Sequence, residues 1–548
     1  MPEPGSSHLA REALRAGWRA TGWYADATIG EAIVAAAETW PTDLIVFSQS
    51  DGDTIESTLA ELGDRAAAAA RRLRSLGIGA GTSVAVQSPA DAAGTAVFAA
   101  LWRLGAVVIP LVTTAGPSEI AHAIRETGAD VMLVAATWRD DDLAATAADH
   151  RDAWGLRQVI VIADAGSGVP AGSMALGELE PVNDDRPAVK GDPSAIACVL
   201  YTSGSTGVPK GVQHSHETLL AGMITGAAPD PNTRTLTSFP AGHVASALGL
   251  LRPLTGGGTT AVMDRWSARR AAAVIEQYGI TSTAGTPFYL STLLDEADRS
   301  GRDISSLSRF LVGAATVPPS LVERAEAAGI VTWRTYGSTE HPAIAGGSAD
   351  DPPEKRRLTD GKVGAGNEVR LVDADLVDVG PGEEGEILAR GPRQFVGYRD
   401  PALDDEAFVD DTWFRTGDRG VLDADGHLTI TDRLKDIIIR GGENISAREV
   451  EDVLAAHPLV DEVAVCAAPD DTFGEGVCAF VLPRDGATLD LDDLRAFATA
   501  AGLAAHKLPS RLELVDEFPR TAAGKIRKRD LRDTLTPTIT VTPGVTPA

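Results

Sequence analysis

A run of small and hydroxyl-bearing residues that ends in a lysine has the composition of a phosphate-binding loop. It reads Tyr201-Thr-Ser-Gly-Ser-Thr-Gly-Val-Pro-Lys210-Gly211. Its hydroxyl and backbone N–H groups can donate hydrogen bonds to phosphate oxygens, its glycines allow close approach, and Lys210 supplies a positive charge. An apolar run at 196–201 predicts a buried strand before the loop, and residues 217–225 predict a helix after it. Strand, loop and helix in this order favour an anion site.

The loop is not a Walker A loop, in which the lysine directly follows a glycine. Here Val208 and Pro209 stand between Gly207 and Lys210. A solvated turn has a similar composition, because glycine and serine are common in turns. The function of the loop therefore depends on what accompanies it in the chain.

Other strings that could do chemistry surround this loop in a fixed order. Leu101-Trp-Arg-Leu-Gly-Ala-Val-Val-Ile-Pro-Leu111 precedes it, and Thr335-Tyr-Gly-Ser-Thr-Glu340, Trp413-Phe-Arg-Thr-Gly-Asp418 and Phe518-Pro-Arg-Thr-Ala-Ala-Gly-Lys525 follow. Together with the loop they resemble the motifs of the adenylate-forming superfamily, and within it the acyl-CoA synthetases of the AMP-dependent synthetase and ligase family. The resemblance runs from about residue 100 to about residue 530 without a large insertion.

The resemblance implies a reaction in two halves. A carboxylate attacks the α-phosphorus of MgATP to give an acyl adenylate and pyrophosphate, and the thiol of coenzyme A then displaces AMP to give a thioester. Lys525 is implied to bridge the carboxylate and the α-phosphate, where a positive charge offsets the charge that develops in the transition state. Thr202, Glu340 and His243 are the other catalytic residues that the resemblance implies.

The same resemblance assigns ATP, Mg²⁺ and coenzyme A to particular residues. Asp418 can accept hydrogen bonds from both ribose hydroxyls, while Glu340 and Thr202 offer Mg²⁺ the hard oxygen ligands that it prefers. Lys435 is implied to be the pivot of a rotating lid. The residues implied to bind ATP or coenzyme A are Thr202, Ser203, Gly204, Ser205, Thr206, Gly207, Lys210, Gly313, Ala314, Ala315, Thr335, Tyr336, Gly337, Ser338, Thr339, Asp418, Arg433, Lys435, Gly441, Gly442 and Lys525.

The carboxylic acid is implied to bind beside a Gly-His turn, where His243 would gate the pocket, although a lone histidine is more often structural. Residues 244–250 contain no aspartate for a substrate ammonium group, which disfavours an α-amino acid. Their small, apolar side chains favour a medium-chain, alicyclic or aromatic acid. The predicted lining consists of His243, Val244, Ala245, Ser246, Pro287, Phe288 and Gly313.

Three other functions remain open. The first is an acyl-AMP ligase that loads a carrier protein, although the chain lacks the insertion of fatty-acyl-AMP ligases. The second is a luciferase-like oxygenase. The third is a catalytically silent acyl- or nucleotide-binding protein, against which the joint presence of Lys525, Asp418 and Glu340 argues.

The elements that must position these strings alternate between strands and helices. Apolar runs at 83–87, 106–111, 130–135 and 158–163 predict strands with helices between them, and three more strand–helix units span 258–328. This alternation predicts α/β layers of parallel strands, whose carboxyl ends bind ligands. From residue 362, short strands and Gly-rich turns predict a small antiparallel β-barrel. Residues 1–10 are expected to be disordered, and residues 350–357 to form a charged loop.

The resemblance and the element pattern together predict an α/β protein of two domains. The large, multi-subdomain N-terminal domain spans 1–432 and carries the ATP and carboxylate sites. A hinge at 433–435 leads to a small, mobile C-terminal lid at 436–535. The Thr- and Pro-rich residues 536–548 are expected to be a disordered tail.

Composition limits the partners that this protein can have. A net charge of −28 argues against nucleic acid and anionic membranes, because phosphates would be repelled. No apolar run reaches eighteen residues and no signal peptide opens the chain, so we expect a cytoplasmic enzyme, either monomeric or a homodimer. Cys198, Cys466 and Cys478 lie far apart in apolar runs, which favours buried thiols over disulfides or metal ligands.

Overall fold

The structure, a computed structural model, divides the chain into two compact units. Unit 1 comprises Met1–Thr416 and Leu422–Thr429, and unit 2 comprises Gly417–Val421 and Ile430–Ala548. The division lies close to the predicted hinge at 433–435. The structure describes residues 6–50, 52–164, 166–177, 190–202, 209–224, 233–238, 242–313, 315, 317–433, 436–440, 443–470, 473–484, 487–501, 503–521 and 524–535.

Unit 1 contains α/β layers with helices on the faces of its sheets. Its described helices are α1 (Ser6–Ala20), α2 (Ile29–Thr39), α3 (Leu59–Ser75), α4 (Ala92–Arg103), α5 (Pro117–Thr127), α6 (Leu143–His150), α7 (His216–Ile224), α8 (Val244–Thr255), α9 (Ala268–Tyr278), α10 (Pro287–Ser300), α11 (Pro319–Ala327), α12 (Pro353–Leu358) and α13 (Asp404–Ala407).

The strands up to residue 433 include one at each of the predicted apolar runs 83–87, 106–111, 130–135 and 158–163. They are β1 (Leu44–Ser48), β2 (Thr54–Thr58), β3 (Ser83–Gln87), β4 (Val107–Leu111), β5 (Val131–Ala135), β6 (Gln158–Ile162), β7 (Met174–Ala175), β8 (Ile196–Thr202), β9 (Lys210–Ser215), β10 (Arg234–Thr237), β11 (Thr259–Met263), β12 (Ser282–Gly285), β13 (Arg309–Gly313), β14 (Val331–Tyr336), β15 (Ala345–Gly346), β16 (Lys362–Val363), β17 (Glu368–Val372), β18 (Glu384–Arg390), β19 (Gly397–Tyr398), β20 (Phe408–Val409), β21 (Trp413–Leu422) and β22 (Leu428–Arg433).

Two large sheets organise unit 1. One has the strand order β19-β9-β8-β4-β3-β5-β6-β7, and the other the order β16-β15-β14-β13-β12-β10-β11-β1-β2. Strands β10, β12, β13 and β14 are neighbours and run parallel. Their carboxyl ends therefore lie at one edge of the sheet, which is where ligands bind in such folds.

The main core of unit 1 lies where α2, α3, α4 and α8 pack against both sheets. Phe98 and Trp102 of α4 and Leu251 of α8 are among its buried side chains. Capping boxes at Thr28 and Thr58 fix where α2 and α3 begin, because each hydroxyl accepts an N–H group at the start of its helix. The predicted α/β fold with a large first domain and a smaller C-terminal domain is confirmed.

A smaller five-stranded sheet follows in the chain. Its order is β17-β18-β21-β20, with β22 also paired to β21. The pairs β17–β18 and β20–β21 are antiparallel, as the sequence predicts. A closed barrel was predicted, but none of the described strand pairs joins the two ends of this sheet.

Unit 2 has its own sheet and core. Its described elements after β22 are β23 (Ile438–Arg440), β24 (Glu443–Ile445), α14 (Ala447–Leu454), β25 (Val460–Asp470), β26 (Gly474–Pro483), α15 (Leu491–Ala500), β27 (Arg511–Leu514) and α16 (Lys528–Leu535). Strand β26 lies in the middle, antiparallel to β25 and parallel to β27. Ser446 accepts the N–H of Glu449 and so caps α14, whereas the Glu449 carboxylate pairs with Lys507.

Two sequence expectations are wrong. Of the residues 1–10 that were expected to be disordered, residues 6–10 lie in helix α1, whose Arg11 and Arg15 are buried, and residues 1–5 lie outside the described part of the chain. Helix α12 occupies most of the expected charged loop, and its Arg356 is buried beside Glu326. The three cysteines are buried free thiols, as predicted. None of the described helices combines the length and the hydropathy that a membrane span requires.

Candidate active site

The ends of the phosphate loop are held by two antiparallel strands. Strand β8 ends at Thr202 and β9 begins at Lys210, and these two residues are cross-strand partners. The helix predicted at 217–225 is present as α7, but the expectation that the loop leads directly into it is wrong. Strand β9 intervenes, because residues 210–215 pair with β8 on one side and β19 on the other. The predicted residues Ser203, Gly204, Ser205, Thr206 and Gly207 lie outside the described part of the chain.

Helix α5 braces both ends of this loop, which the sequence did not indicate. Nε2 of His122 donates to the carbonyl of Pro209 at 2.9 Å. The hydroxyl of Tyr201 donates to Oε2 of Glu126 at 2.5 Å. A side chain at position 211 would come within 2.9 Å of the same carboxylate oxygen, so Gly211 permits this close approach. The bracing fixes where the loop starts and ends.

Glu340, the predicted Mg²⁺ ligand, is joined to Lys210 through a tyrosine. The hydroxyl of Tyr398 donates to Oε1 of Glu340 at 2.8 Å. Nζ of Lys210 lies 5.0 Å from the centre of the Tyr398 ring, within cation–π range. Burial and the neighbouring Glu340 raise the pKa of Tyr398, which keeps its hydroxyl a donor. In these three residues, which we call the Lys210–Tyr398–Glu340 row, one tyrosine contacts a cation through its ring and a carboxylate through its hydroxyl.

The backbone around Glu340 is fixed by buried groups. Nε2 of His214 donates to the carbonyl of Thr339 at 2.7 Å, and the N–H of Phe395 donates to the carbonyl of Glu340 at 2.7 Å. Burial lowers the pKa of His214 to about 4, so the imidazole is neutral at neutral pH. The neutral ring has one N–H, and the bond to the Thr339 carbonyl places that hydrogen on Nε2.

The other residues of the Tyr-Gly-Ser-Thr-Glu string are partly used by the fold itself. The Thr335 hydroxyl donates to the carbonyl of Ala345, and that of Ser338 accepts the N–H of His341. A side chain at Gly337 would come within 2.4 Å of the Ala343 nitrogen, so only glycine fits this turn. Tyr336 ends β14 at the carboxyl edge of the parallel strands. The string is thus a tight turn that presents Glu340.

The predicted acid pocket draws on the same sheet edge. His243 is the N-cap residue of α8, and Pro287 opens α10 directly after β12. Phe288 is 37% exposed, which is high for a phenylalanine, and its ring also contacts that of Tyr289. Val244, in contrast, packs partly against the core of unit 1. Ala245 is half-buried, and nothing is described of the Ser246 side chain.

Gly313, Ala314 and Ala315, which the resemblance implies line the adenine ring of ATP, are only partly described. A side chain at Gly313 would come within 2.7 Å of Thr335, so glycine is needed here for the packing of β13 on β14. Ala315 is exposed just beyond β13, and Ala314 lies outside the described residues. The structural requirement at Gly313 is compatible with a role in binding a flat base.

The remaining predicted site residues belong to unit 2. Asp418 is buried in β21 and follows Gly417, whose φ of +73° is unusual for a strand and turns the chain at this point. Lys525 lies in a tight loop closed by a bond from the Thr521 N–H to the Lys525 carbonyl at 2.8 Å. Arg433 ends β22. Lys435, Gly441 and Gly442 lie outside the described residues.

The described residues contain one cluster of acidic and histidine side chains that could hold a metal ion, but Glu340 is the better candidate for Mg²⁺. That group is Asp423, Asp425 and His427, but Nζ of Lys355 lies 2.5 Å from Asp423 and 3.1 Å from Asp425 and already supplies the cation. Mg²⁺ usually binds one or two carboxylates together with substrate phosphates and waters. A single carboxylate such as Glu340, near the ends of the predicted phosphate loop, suits it.

The chain matches two domain families. The one described as AMP-binding enzyme covers residues 33–399, and the AMP-binding enzyme C-terminal domain covers residues 449–525.

Similar proteins extend over nearly the whole chain. The medium-chain fatty-acid–CoA ligase of Escherichia coli is 31% identical over 95% of this chain and 93% of that protein. The salicyl-AMP ligase / salicyl-S-ArCP synthetase of Mycobacterium tuberculosis is 32% identical over 94% of this chain and 92% of that protein. The structure of the amide bond synthetase McbA from Marinactinospora thermotolerans superposes with a TM-score of 0.80 at 28% identity, covering 92% of this chain and 99% of that one.

Proposed function

Because the chain belongs to the AMP-binding enzyme family, we propose that it is an acyl-CoA ligase that activates a medium-chain, alicyclic or aromatic acid. Its family makes it an AMP-forming ligase that uses ATP. What we propose beyond the family is the class of the acid and coenzyme A as the acceptor of the acyl group. The observation that carries the proposal is the Lys210–Tyr398–Glu340 row, which supplies a cation and a carboxylate for a metal-bound triphosphate.

We assign the roles in the adenylation half-reaction residue by residue. Lys210 and the loop between Thr202 and Pro209 hold the leaving pyrophosphate, and Glu340, with Thr202, holds Mg²⁺. Mg²⁺, when bound, offsets the negative charge of the phosphates. Asp418 accepts the ribose hydroxyls, and the ammonium group of Lys525 draws the attacking carboxylate and the α-phosphate together. No side-chain nucleophile takes part, since the substrate carboxylate is itself the nucleophile.

We assign the second half-reaction to a rotated lid. Coenzyme A has to reach the acyl adenylate that Lys525 covers during the first step. A rotation about Lys435 would withdraw Lys525 and bring Gly441 and Gly442 to the pantetheine path. The thiol sulfur then bonds to the acyl carbon, and AMP leaves with the electrons of the broken C–O bond.

The acid is proposed from the sheet edge that carries the pocket residues. Phe288 presents an exposed ring next to the carboxyl end of β12, and no acidic residue occurs in 244–250 that could pair with a substrate ammonium group. Apolar acids therefore suit this edge better than amino acids. The similar E. coli protein, a medium-chain fatty-acid–CoA ligase, supports the same class.

A carrier protein is the second candidate acceptor. The similarity to the salicyl-AMP ligase / salicyl-S-ArCP synthetase favours it, because that relative covers nearly as much of the chain as the CoA ligase does. Both candidates share the adenylation step and differ only in the thiol that follows.

The test is mass spectrometry of the products formed from ATP, Mg²⁺, coenzyme A and a mixed panel of fatty, alicyclic, aromatic and steroid-derived acids. An acyl-CoA product supports the ligase and names the acid class. An acyl adenylate without a thioester supports the carrier-protein candidate. If no acid gives either product while ATP still binds, a silent binding protein replaces both.

A further inference from the structure

The N-terminal helix α1 inserts one arginine into unit 1. The side chain of Arg11 is only 4% exposed, and its Nη2 donates to Oδ2 of Asp404 at 2.7 Å. The guanidinium group lies 4.2 Å from the centre of the Phe408 ring. Its Nε and Nη1 are buried without a hydrogen-bond partner among the described residues. The pair with Asp404 is therefore the main polar compensation for burying this charge.

Asp404 in turn holds the strand that carries Tyr398. Its Oδ1 accepts the N–H of Tyr398 at 2.8 Å. Its Oδ2 lies against the neighbouring Gly397, where a side chain would come within 2.6 Å of it. The glycine thus leaves room for the carboxylate against the backbone. A continuous path runs from Arg11 through Asp404 to the tyrosine that donates to Glu340.

We propose that Arg11 and Asp404 are positioning residues for Tyr398, and that through Tyr398 they set the orientation of the Glu340 carboxylate. The inference rests on the proposed function only in assigning Mg²⁺ and ATP to Glu340. Neither residue belongs to the strings that resemble the family motifs. Each acts by fixing the backbone of β19, from which the hydroxyl of Tyr398 reaches the carboxylate.

The physical reason lies in the burial of the pair. Loss of Arg11 removes a charged donor from Oδ2 of the buried Asp404 carboxylate, and a buried carboxylate that loses a cationic partner rearranges toward water or becomes protonated. Either change loosens its hold on the Tyr398 N–H. The hydroxyl at the other end of the tyrosine then donates less well to Glu340, because a hydrogen bond weakens steeply with misalignment.

The test compares Arg11→Ala with Arg15→Ala. Arg15 lies on the same helix and its side chain is 6% exposed, but it pairs with Glu12 rather than with Asp404. The first measurement is hydrogen–deuterium exchange of the full-length chain at the Tyr398 amide. We expect faster exchange in Arg11→Ala only. Equal exchange in the two variants would overturn the proposal. Asp404→Asn keeps an oxygen acceptor for the Tyr398 amide, so its exchange rate should lie between those of wild type and Arg11→Ala. If Arg11→Ala does not fold, Asp404→Asn is compared with Arg15→Ala instead.

The second measurement is the affinity for MgATP by titration calorimetry. We expect Kd to rise about 5- to 10-fold in Arg11→Ala, the loss typical of a weakened hydrogen bond to a charged group, and to stay near wild type in Arg15→Ala. In a Tyr398→Phe background the Arg11 effect on Kd should vanish, because both changes act through one hydroxyl. Additive effects would overturn the proposal. If wild type itself bound no MgATP, the proposed function would fail, and the exchange experiment alone would decide whether Arg11 positions Tyr398.

Discussion

The hydroxyl of Tyr398 lies 2.8 Å from Oε1 of Glu340, although the two residues are 58 positions apart in the chain. The raised pKa of Tyr398 keeps this hydroxyl protonated, so the carboxylate is the acceptor. One of the two carboxylate oxygens is thereby fixed. The hydrogen bond orients the other oxygen relative to the backbone that His214 and Phe395 hold.

Tyr398→Phe tests this relationship. Phenylalanine keeps the ring that faces Lys210 and removes only the donor. We expect kcat/KM for MgATP to fall about 10- to 150-fold, since a hydrogen bond to a charged group contributes about 1.5–3 kcal/mol. This kcat/KM is obtained from the rate of pyrophosphate release measured at a series of MgATP concentrations. Tyr289→Phe is the matched control, because its hydroxyl donates to the Ser238 carbonyl at the longer distance of 3.3 Å. Equal losses in both variants would mean that Tyr398 has no special link to Glu340.

Lys525→Ala should separate the two half-reactions. We expect adenylation to fall by about 10²- to 10³-fold, because a charge aimed at the transition state is lost. Thioester formation from added acyl adenylate should largely survive. Arg529→Ala is the control, since this exposed residue forms only a surface pair with Asp533. Parallel loss of both half-reactions in Lys525→Ala would argue against its role in adenylation.

Lys435→Pro should have the reverse effect. Proline fixes φ near −65° and so resists a rotation about this residue. We expect adenylation to continue and thioester formation to fall. Lys435→Ala, which removes the side chain but leaves the backbone free, is the control. Unchanged thioester formation in the proline variant would place the hinge elsewhere.

Acid should destabilise unit 1 through three buried histidines. Burial lowers the pKa of His214 and His216 to about 4 and that of His341 to about 3, whereas unfolded histidine titrates near 6.5. Between about pH 6.5 and pH 4 the unfolded chain therefore binds protons that the folded domain does not. The free energy of unfolding consequently decreases as the pH is lowered. At pH 5 the loss is about 2 kcal/mol for each histidine.

Thermal unfolding measured from pH 7.5 to pH 5 tests this expectation. Tm should decrease steadily below pH 6.5. His214→Gln, which keeps a side-chain donor for the Thr339 carbonyl, should lower Tm at neutral pH but make it fall less steeply with acid. If the slope of Tm against pH were the same in wild type and variant, His214 would not contribute to the acid effect.

A lysine–glutamate pair should stabilise unit 2 against unfolding. Nζ of Lys528 on α16 lies 2.7 Å from Oε1 of Glu451, which also accepts the N–H of Val465 at 2.6 Å. The Glu451 side chain is 13% exposed, and burial raises its pKa. We expect Lys528→Met to cost about 2 kcal/mol, because an uncompensated carboxylate remains.

The paired variant Lys528→Met with Glu451→Gln should recover most of that loss in chemical denaturation. Lys507→Met is the matched control. Lys507 pairs with Glu449 at 2.6 Å, but Glu449 is 44% exposed, so we expect a loss below about 1 kcal/mol. A cost for Lys507→Met as large as that for Lys528→Met would show that burial of the carboxylate does not decide the strength of the pair.

Local patterns predicted much of the fold. Strand β3 has the bounds that its apolar run predicts, and α10 begins at the predicted Pro287, which is suited to a first helical turn. Strand β9 was missed, because its mixed sequence, including the buried His214, resembles the polar loop before it. The pairing of β9 with β8 and β19 compensates for this weak pattern.

The sequence by itself determined the family, the order of the nucleotide-binding strings and the chemical groups that they carry. Those features lie in short segments that can be identified from their residue types and spacing alone. Only the tertiary structure decided that Tyr398 contacts Glu340, that His122 holds Pro209, and that Arg11 reaches Asp404 across 393 positions of the chain. Such contacts depend on strand order and on which charges the fold buries together, and no local periodicity encodes either of them.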